Sequence, residues 1–303
     1  MQVDPVTGVP AIPAMTSQAE RECYYRLAKD AEGAVIEFGS WLGASTAYIA
    51  AAVRDKGAEP AHTYDKFEAK KGHKRKVREF YEKQGAPEVP LVDAFEHFRA
   101  NMGPLLEHVI VHRGQIESAK WGNDPIGLIV FDAPKRLPVI SAVLTNFRRG
   151  MREGTMTAWQ DFCHFPSYEI PASLYRLREH FEFVEAVVPG STLVFRVKSV
   201  WEASRVTREA LGRWHPSEIA EAYEYWLPMV PAEKRPAFRC GHAMFLADTG
   251  HMTAACDVIS DVFALRDRIV ERKWEYLRKV RPDFVIRYRP LFDCFAAYQR
   301  KAA

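Results

Sequence analysis

The chain has 303 residues, a net charge of +3 and an apolar share of 48%. This length allows one large domain or two modest ones, and the apolar share excludes wholesale disorder. The small net charge excludes a protein whose whole surface attracts nucleic acid or membrane.

The first predicted element is an arm with one helix, over residues 1–32. The arm is irregular over residues 1–15, and the helix runs from residue 17 to residue 30. Ser17 and Glu20 have the spacing of a capping box, in which each residue satisfies a backbone N–H of the other. We expect this helix to cover the sheet just before the first strand.

A strand, a glycine turn and a helix follow in direct succession. The apolar run 34–38 predicts a buried strand, Gly39 and Gly43 break the pattern, and a helix begins near Ser45. Such a turn aims backbone N–H groups at a ligand. Because Glu37 ends the strand with a negative charge, the turn suits a ligand with positive charge better than a pyrophosphate.

The second predicted strand, 61–65, ends at Asp65. In a βαβ unit, an acid at this distance from the glycine turn binds ribose hydroxyls, although a solvated loop aspartate is the alternative. A basic run follows over residues 66–78. Such a run is typical of a solvated helix face, but its position also allows it to hold an anionic substrate. The whole connection 66–107 is long and indicates a lid-like insertion.

Five further strands are predicted: 108–112, 126–132, 154–161, 181–188 and 191–197. The fourth strand is continuously apolar, as central parallel strands are. The last two strands are joined by a tight Pro189-Gly190 turn, so they must be antiparallel, because parallel neighbours need a long crossover. The pattern predicts an open α/β sheet that is parallel except for a terminal antiparallel hairpin.

Residues 199–303 differ in character and are predicted to be helical. Residues 237–255 indicate a helix–turn–helix without a second copy, so a repeat solenoid is excluded. We expect these helices to pack on the core or to form a homodimer. The segment 266–281 is interpreted as an exposed amphipathic helix.

The turn resembles that of class I S-adenosylmethionine-dependent methyltransferases. The stretch Glu37-Phe38-Gly39-Ser40-Trp41-Leu42-Gly43 matches that family's pattern of acid, x, Gly, three residues, Gly. Its extension to Ser45 and Thr46 is similar to a branch with many sugar and natural-product O-methyltransferases. The terminal hairpin favours this family over nicotinamide-binding folds, whose sheets are normally parallel to the end. The resemblance covers about residues 33–198 and implies a Rossmann-like S-adenosylmethionine-binding domain.

The resemblance also implies which residues contact the cofactor. The acid after the second strand binds the ribose, and the turn after the third strand flanks the adenine. The implied cofactor residues are Glu37, Gly39, Ser40, Trp41, Gly43, Ser45, Thr46, Asp65, Gln115, Ile116 and Asp132.

Catalysis would require alignment of the methyl group and removal of a proton from a hydroxyl. His164 is the predicted general base, because histidine changes charge near neutral pH, although loop histidines are often structural. Asp161 would orient His164 or contact the substrate hydroxyl, and Asp132 is the neighbouring acid. Lys135 and His164 are the predicted substrate contacts.

Many relatives bind a divalent ion at this position. Asp132 and Asp161 would be its ligands here, with His164 as a third. Gln160 stands where an acidic partner is expected, and a neutral amide is a weak ligand for a hard cation. Lys135 also opposes a cation, so we predict no metal, and a divalent ion held by Asp132 and Asp161 is the alternative.

The sequence therefore predicts an O-methyltransferase for a small polar substrate, such as a sugar or a glycosylated metabolite. The alternatives are an N-methyltransferase for a small amine and a non-catalytic scaffold protein. Nucleic acid is not expected, since the segment 132–135 lacks the aromatic residue of the amino-methyltransferase motif. The scattered cysteines indicate reduced thiols, and the N-terminus lacks a signal pattern, so a cytoplasmic protein that does not enter membranes is expected.

Overall fold

The sheet is the centre of the molecule. The computed structural model describes residue 4 and the ranges 7–69, 71–85 and 90–302; Lys70, in the basic run, lies outside the described residues. The strands are β1 (Ala34–Phe38), β2 (Ala61–Asp65), β3 (Val109–Arg113), β4 (Ile126–Phe131), β5 (Met156–Trp159), β6 (Phe181–Ala186) and β7 (Leu193–Val197).

The strand order is β3-β2-β1-β4-β5-β7-β6, and the first five strands in this order are mutually parallel. β7 lies antiparallel between β5 and β6. This arrangement confirms the predicted parallel sheet with a terminal antiparallel pair. Because the parallel strands run the same way, the segments that follow them emerge at one edge.

Helices cover the sheet and continue beyond it. They are α1 (Gln18–Asp30), α2 (Ala44–Lys56), α3 (Lys71–Gln84), α4 (Ala94–Met102), α5 (Leu137–Asn146), α6 (Glu169–Tyr175), α7 (Arg208–Gly212), α8 (Pro216–Trp226), α9 (Arg235–Asp248), α10 (Met252–Ala264), α11 (Arg268–Val280), α12 (Pro282–Arg287) and α13 (Arg289–Ala302). Within the described ranges, no helix combines the length and apolar character that crossing a bilayer would need.

The capping box predicted for α1 is present and has a second task. Ser17 and Glu20 bond to each other's backbone N–H groups. Glu20 Oε1 also accepts the Ser191 N–H at 2.9 Å and the Thr192 hydroxyl at 2.8 Å. The helix is therefore tied to the β6–β7 connection, one part of which reaches the site described below.

The C-terminal helices share one hydrophobic cluster with the sheet. This cluster includes Ile36 of β1 and Phe295 of α13. Trp201, Trp226 and Trp274 are fully buried in it, so no dimer mate is needed to cover them. The prediction of an exposed helix over 266–281 is wrong for one face of α11, because Trp274 inserts into the core. The domain division at residues 198 and 199 stays a prediction.

We expect Trp274→Ala to lower the free energy of unfolding by about 3–5 kcal/mol, the usual cost of truncating a buried tryptophan. Its ring stacks on Phe165 with centroids 5.9 Å apart. Ile286→Ala is the control, because this side chain is 78% exposed and should cost less than about 0.5 kcal/mol. Chemical denaturation checks both values, and equal losses would contradict the packing.

Candidate active site

A cavity of about 720 Å³ opens at the edge where the parallel strands end. The turn after β1 and the ends of β2, β4 and β5 form its floor. The segment before α1 and residues of α3 and α11 complete the wall. One cavity therefore collects side chains from the first 20 residues, the middle and the last third of the chain.

The turn after β1 approaches the segment after β4 closely. Gly39 has φ +102°, and a Cβ there would lie 2.7 Å from the backbone nitrogen of Ala133. Trp41 also has a positive φ, of 45°, which is uncommon for a bulky residue. Asp65 holds this conformation, because it accepts the Trp41 N–H at 2.9 Å and the Phe67 N–H at 2.6 Å. The acid predicted to bind ribose thus also fixes the turn.

Glu37 lies behind the turn and outside the cavity wall. It is 1% exposed, and its Oε2 accepts the hydroxyls of Thr46 at 2.5 Å and Thr63 at 2.8 Å. Burial raises its pKa to about 8, against the opposing effect of the two hydroxyls. The carboxyl group joins β1, α2 and β2 beneath the turn, so its structural role is to support the turn from behind.

Some of the other predicted cofactor residues lie on the cavity wall, as Asp65 does, and others lie outside it, as Glu37 does. Gly43, with φ +93°, faces α4, and a Cβ there would lie 3.1 Å from Met102 Sδ and 3.2 Å from Phe98. A side chain at this position would press on α4, and the positive φ also favours glycine. Gln115 and Thr46 also lie outside the wall. The predicted cofactor residues on the wall are Gly39, Ser40, Trp41, Ser45, Asp65, Ile116 and Asp132.

At the other end of the cavity, a lysine bridges two acids. Lys135 Nζ lies 2.5 Å from Asp161 Oδ2 and 3.2 Å from Asp132 Oδ1. Burial raises the pKa of Asp132 to about 6, with Lys135 opposing the rise. Burial also acts to raise the pKa of Asp161, but Lys135 and His164 hold it well below its usual range. Asp161 is thus a fixed anion, and Asp132 is the more basic carboxylate.

His164 stands between Asp161 and a lysine that the sequence reasoning missed. Its Nδ1 lies 3.6 Å from Asp161 Oδ2, and its Nε2 lies 2.8 Å from Lys273 Nζ. Lys273 belongs to α11 and follows the buried Val270 by one turn. The sequence signal that could have identified Lys273 is its position beside the apolar stripe of Val270, Trp274 and Leu277, which α11 buries. The structure brings together the predicted residues Asp132, Asp161, Lys135 and His164. The C-terminal helix α11 adds Lys273 to this cluster.

The two carboxylates do not form a metal site. Across residue 4 and the ranges 7–69, 71–85 and 90–302, no group of three or more His, Cys, Asp or Glu could hold a metal ion. The Lys135 ammonium lies where a cation would sit between Asp132 and Asp161. The donor set therefore suits the lysine and does not suit a divalent ion.

Three buried polar atoms of the wall lack partners. Gln160 Oε1, Trp41 Nε1 and Glu117 Oε2 have no hydrogen-bond partner in the part of the chain that the structure describes. Buried polar groups are normally paired, so these three atoms are suited to a bound molecule. The segment Ala14–Thr16 and Ser191 also line the cavity, which the sequence pattern did not indicate.

Residues 36–162 match a family described as "Methyltransferase domain". None of the curated proteins matches the chain. The family match assigns a methyltransferase domain to residues 36–162, and the sheet order confirms the predicted Rossmann-like arrangement of this domain. S-adenosylmethionine is its methyl donor. The chain is an enzyme, and the non-catalytic scaffold alternative is set aside.

Among solved structures, the chain is similar to CalS11, a TDP-rhamnose 3'-O-methyltransferase of calicheamicin biosynthesis, with 18% identity and a TM-score of 0.40 over 58% of this chain and 76% of that one. The chain is also similar to the O-methyltransferase NovP, with 15% identity and a TM-score of 0.46 over 62% of this chain and 83% of that one. A methyltransferase from Geobacter sulfurreducens has 13% identity and a TM-score of 0.39 over 62% of this chain and 82% of its own. Each TM-score is below 0.5, so the fold assignment rests on the sheet order itself.

The buried Glu37 predicts a pH-dependent stability. The pKa of this carboxyl group is 4.5 in the unfolded chain and about 8 in the folded protein. As pH rises, the unfolded chain therefore releases this proton at a lower pH than the folded protein does. Between these values the free energy of unfolding should fall as pH rises, by up to about 1.4 kcal/mol per pH unit. Glu37→Gln should remove this slope, and Glu68→Gln, at the cavity, is the control. Denaturation at several pH values checks it, and equal slopes in all three proteins would contradict it.

Proposed function

We propose that the enzyme transfers the methyl group of S-adenosylmethionine to a hydroxyl oxygen of a small polar acceptor, such as a sugar or a glycosylated metabolite. One observation carries this proposal. A single cavity joins the turn at Gly39 to the cluster of Asp132, Lys135, Asp161 and His164. The polar walls suit a hydroxylated acceptor, and the turn sequence is similar to that of sugar O-methyltransferases.

The cofactor end of the cavity has residues that fit the methyl donor. Asp65 lies where it can accept ribose hydroxyls, and Ile116 offers an apolar surface for the adenine. The backbone at Gly39 is open to close approach, and Gln160 Oε1 and Trp41 Nε1 offer unpaired polar atoms. When bound, the cofactor supplies an electrophilic methyl group. The chain's residues then have to position the acceptor and take its proton.

Proton removal is assigned to His164. With Nδ1–H directed at the fixed anion Asp161, the imidazole keeps Nε2 as its acceptor, and the imidazolium formed is stabilised by Asp161. Lys135 holds Asp161 and Asp132 in place. Asp132, with a pKa near 6, is the second group that can receive a proton at this end.

The cellular context is also proposed. All five cysteines are free thiols in the structure, in keeping with a reducing compartment such as the cytoplasm. Exposed apolar residues of the C-terminal segment, including Leu265 just after α10 and Ile269 of α11, are available for the predicted homodimer.

His164→Ala should lower turnover roughly 10²–10⁴-fold and leave the affinity for S-adenosylhomocysteine unchanged, because the base acts at the acceptor end. His108→Ala, outside the cavity, is the control. Release of S-adenosylhomocysteine, measured over a panel of sugars and amines, reports turnover. Calorimetry reports cofactor affinity. Methylation of amines alone, or full activity of His164→Ala, would contradict the assignment.

Chelator should leave the activity unchanged, because the ammonium of Lys135 already lies between the two carboxylates that would bind the ion. Turnover after treatment with EDTA, before and after addition of Mg²⁺, provides the test. Loss of activity with EDTA and its recovery with Mg²⁺ would instead assign Asp132 and Asp161 to a metal.

A further inference from the structure

Two further lysines face the acceptor end of the cavity besides Lys135. Lys135 is paired with both Asp132 and Asp161. Lys76 of α3 and Lys273 of α11 line the same cavity. Within the described ranges, neither of these two lysines forms an ion pair with a carboxylate. Among the described residues, Lys76 and Lys273 therefore face the cavity without a carboxylate in direct contact.

A contact between the two helices holds these lysines on the same side. Arg75 donates to the hydroxyl of Tyr276, and its guanidinium lies 5.5 Å from the centre of the Tyr276 ring. Lys76 is the residue after Arg75, and Lys273 precedes Tyr276 by about one helical turn. The lid-like segment and the C-terminal helices thus meet beside the cavity, and each contributes one lysine.

The surroundings of Lys273 favour an added negative charge. Burial lowers its pKa, and Lys234 and Lys76 lower it further, whereas Asp161 acts in the opposite direction. An ammonium group has three N–H donors, and His164 Nε2 accepts one of them. An anion in the cavity would accept the remaining donors and relieve the repulsion between the lysines.

We propose that Lys76 and Lys273 form a phosphate subsite, so that the acceptor carries a phosphoryl group beside the hydroxyl that is methylated. This inference rests on the proposed function, since it describes the acceptor of the same reaction. Two ammonium groups supply two point charges that match the two negative charges of a phosphate, and lysine binds phosphate in this way in other proteins.

The subsite has a consequence for the base. In the structure, the Lys273 ammonium donates a hydrogen bond to Nε2 of His164, and this nitrogen is the atom assigned to proton removal. A phosphoryl group that takes the ammonium of Lys273 uncovers this nitrogen for the acceptor hydroxyl. Binding of the anionic group and exposure of the base are thereby coupled through one side chain.

The test is calorimetric titration of the full chain with inorganic phosphate, in chloride buffer at constant ionic strength and with saturating S-adenosylhomocysteine. The filled cofactor end prevents phosphate from binding at the glycine turn. Lys273→Gln and Lys76→Gln should each weaken phosphate binding roughly tenfold to a hundredfold, the loss of one charge-assisted contact. Lys273→Arg should retain most of the affinity. Lys279→Gln, on the exposed face of the same helix, should have no effect.

Failure of this proposal is distinguishable from failure of the proposed function. Undetectable phosphate binding by the parent protein, equal losses in Lys273→Gln and Lys279→Gln, or tighter binding of acetate than of phosphate would each overturn the subsite. Retained S-adenosylhomocysteine affinity and loss of turnover in His164→Ala would leave the methyl-transfer assignment standing in all three cases. Circular dichroism of each variant confirms that a lost signal does not reflect unfolding.

Discussion

The ammonium group of Lys135 between two half-buried carboxylates is the interaction on which the acceptor end depends. The parallel strands β4 and β5 lie side by side, so the acids that follow them arrive at the same corner of the sheet. Two carboxylates at such a corner repel each other unless a cation joins them. Lys135 supplies that cation from the chain itself, keeps Asp161 ionised and occupies the place of a metal.

The strands and the glycine turn were predictable from sequence because their signals are local. A buried parallel strand needs an unbroken apolar run, and each observed strand lies within two residues of its predicted bounds. The Pro189-Gly190 turn limited the last two strands to an antiparallel pair. Residues at strand ends, such as Asp65, Asp132 and Asp161, line the cavity at that edge of the sheet, and their roles stay predictions.

The remaining features of the site depend on which way side chains point and on contacts between distant parts of the chain. A local sequence pattern contains neither. The glycine pattern identifies a turn, but it does not tell which side chains face a ligand. Glu37 therefore points into the protein, and Gly43 serves the packing of α4. Lys273 reaches His164 only because α11 packs against the segment after β5. An apolar stripe shows that a helix is buried on one face, but it does not name the surface that covers it.

The shared hydrophobic cluster has a consequence for how the chain matures. Leu291 and Phe295 of α13 are fully buried, and Phe295 packs 5.0 Å from the ring of Phe263. The cluster cannot close on the ribosome until these residues have emerged, although the sheet is complete almost 100 residues earlier. A nascent chain with a finished sheet therefore still exposes apolar surface that chaperones bind. A frameshift or nonsense codon late in the reading frame should consequently be as damaging as one within the sheet.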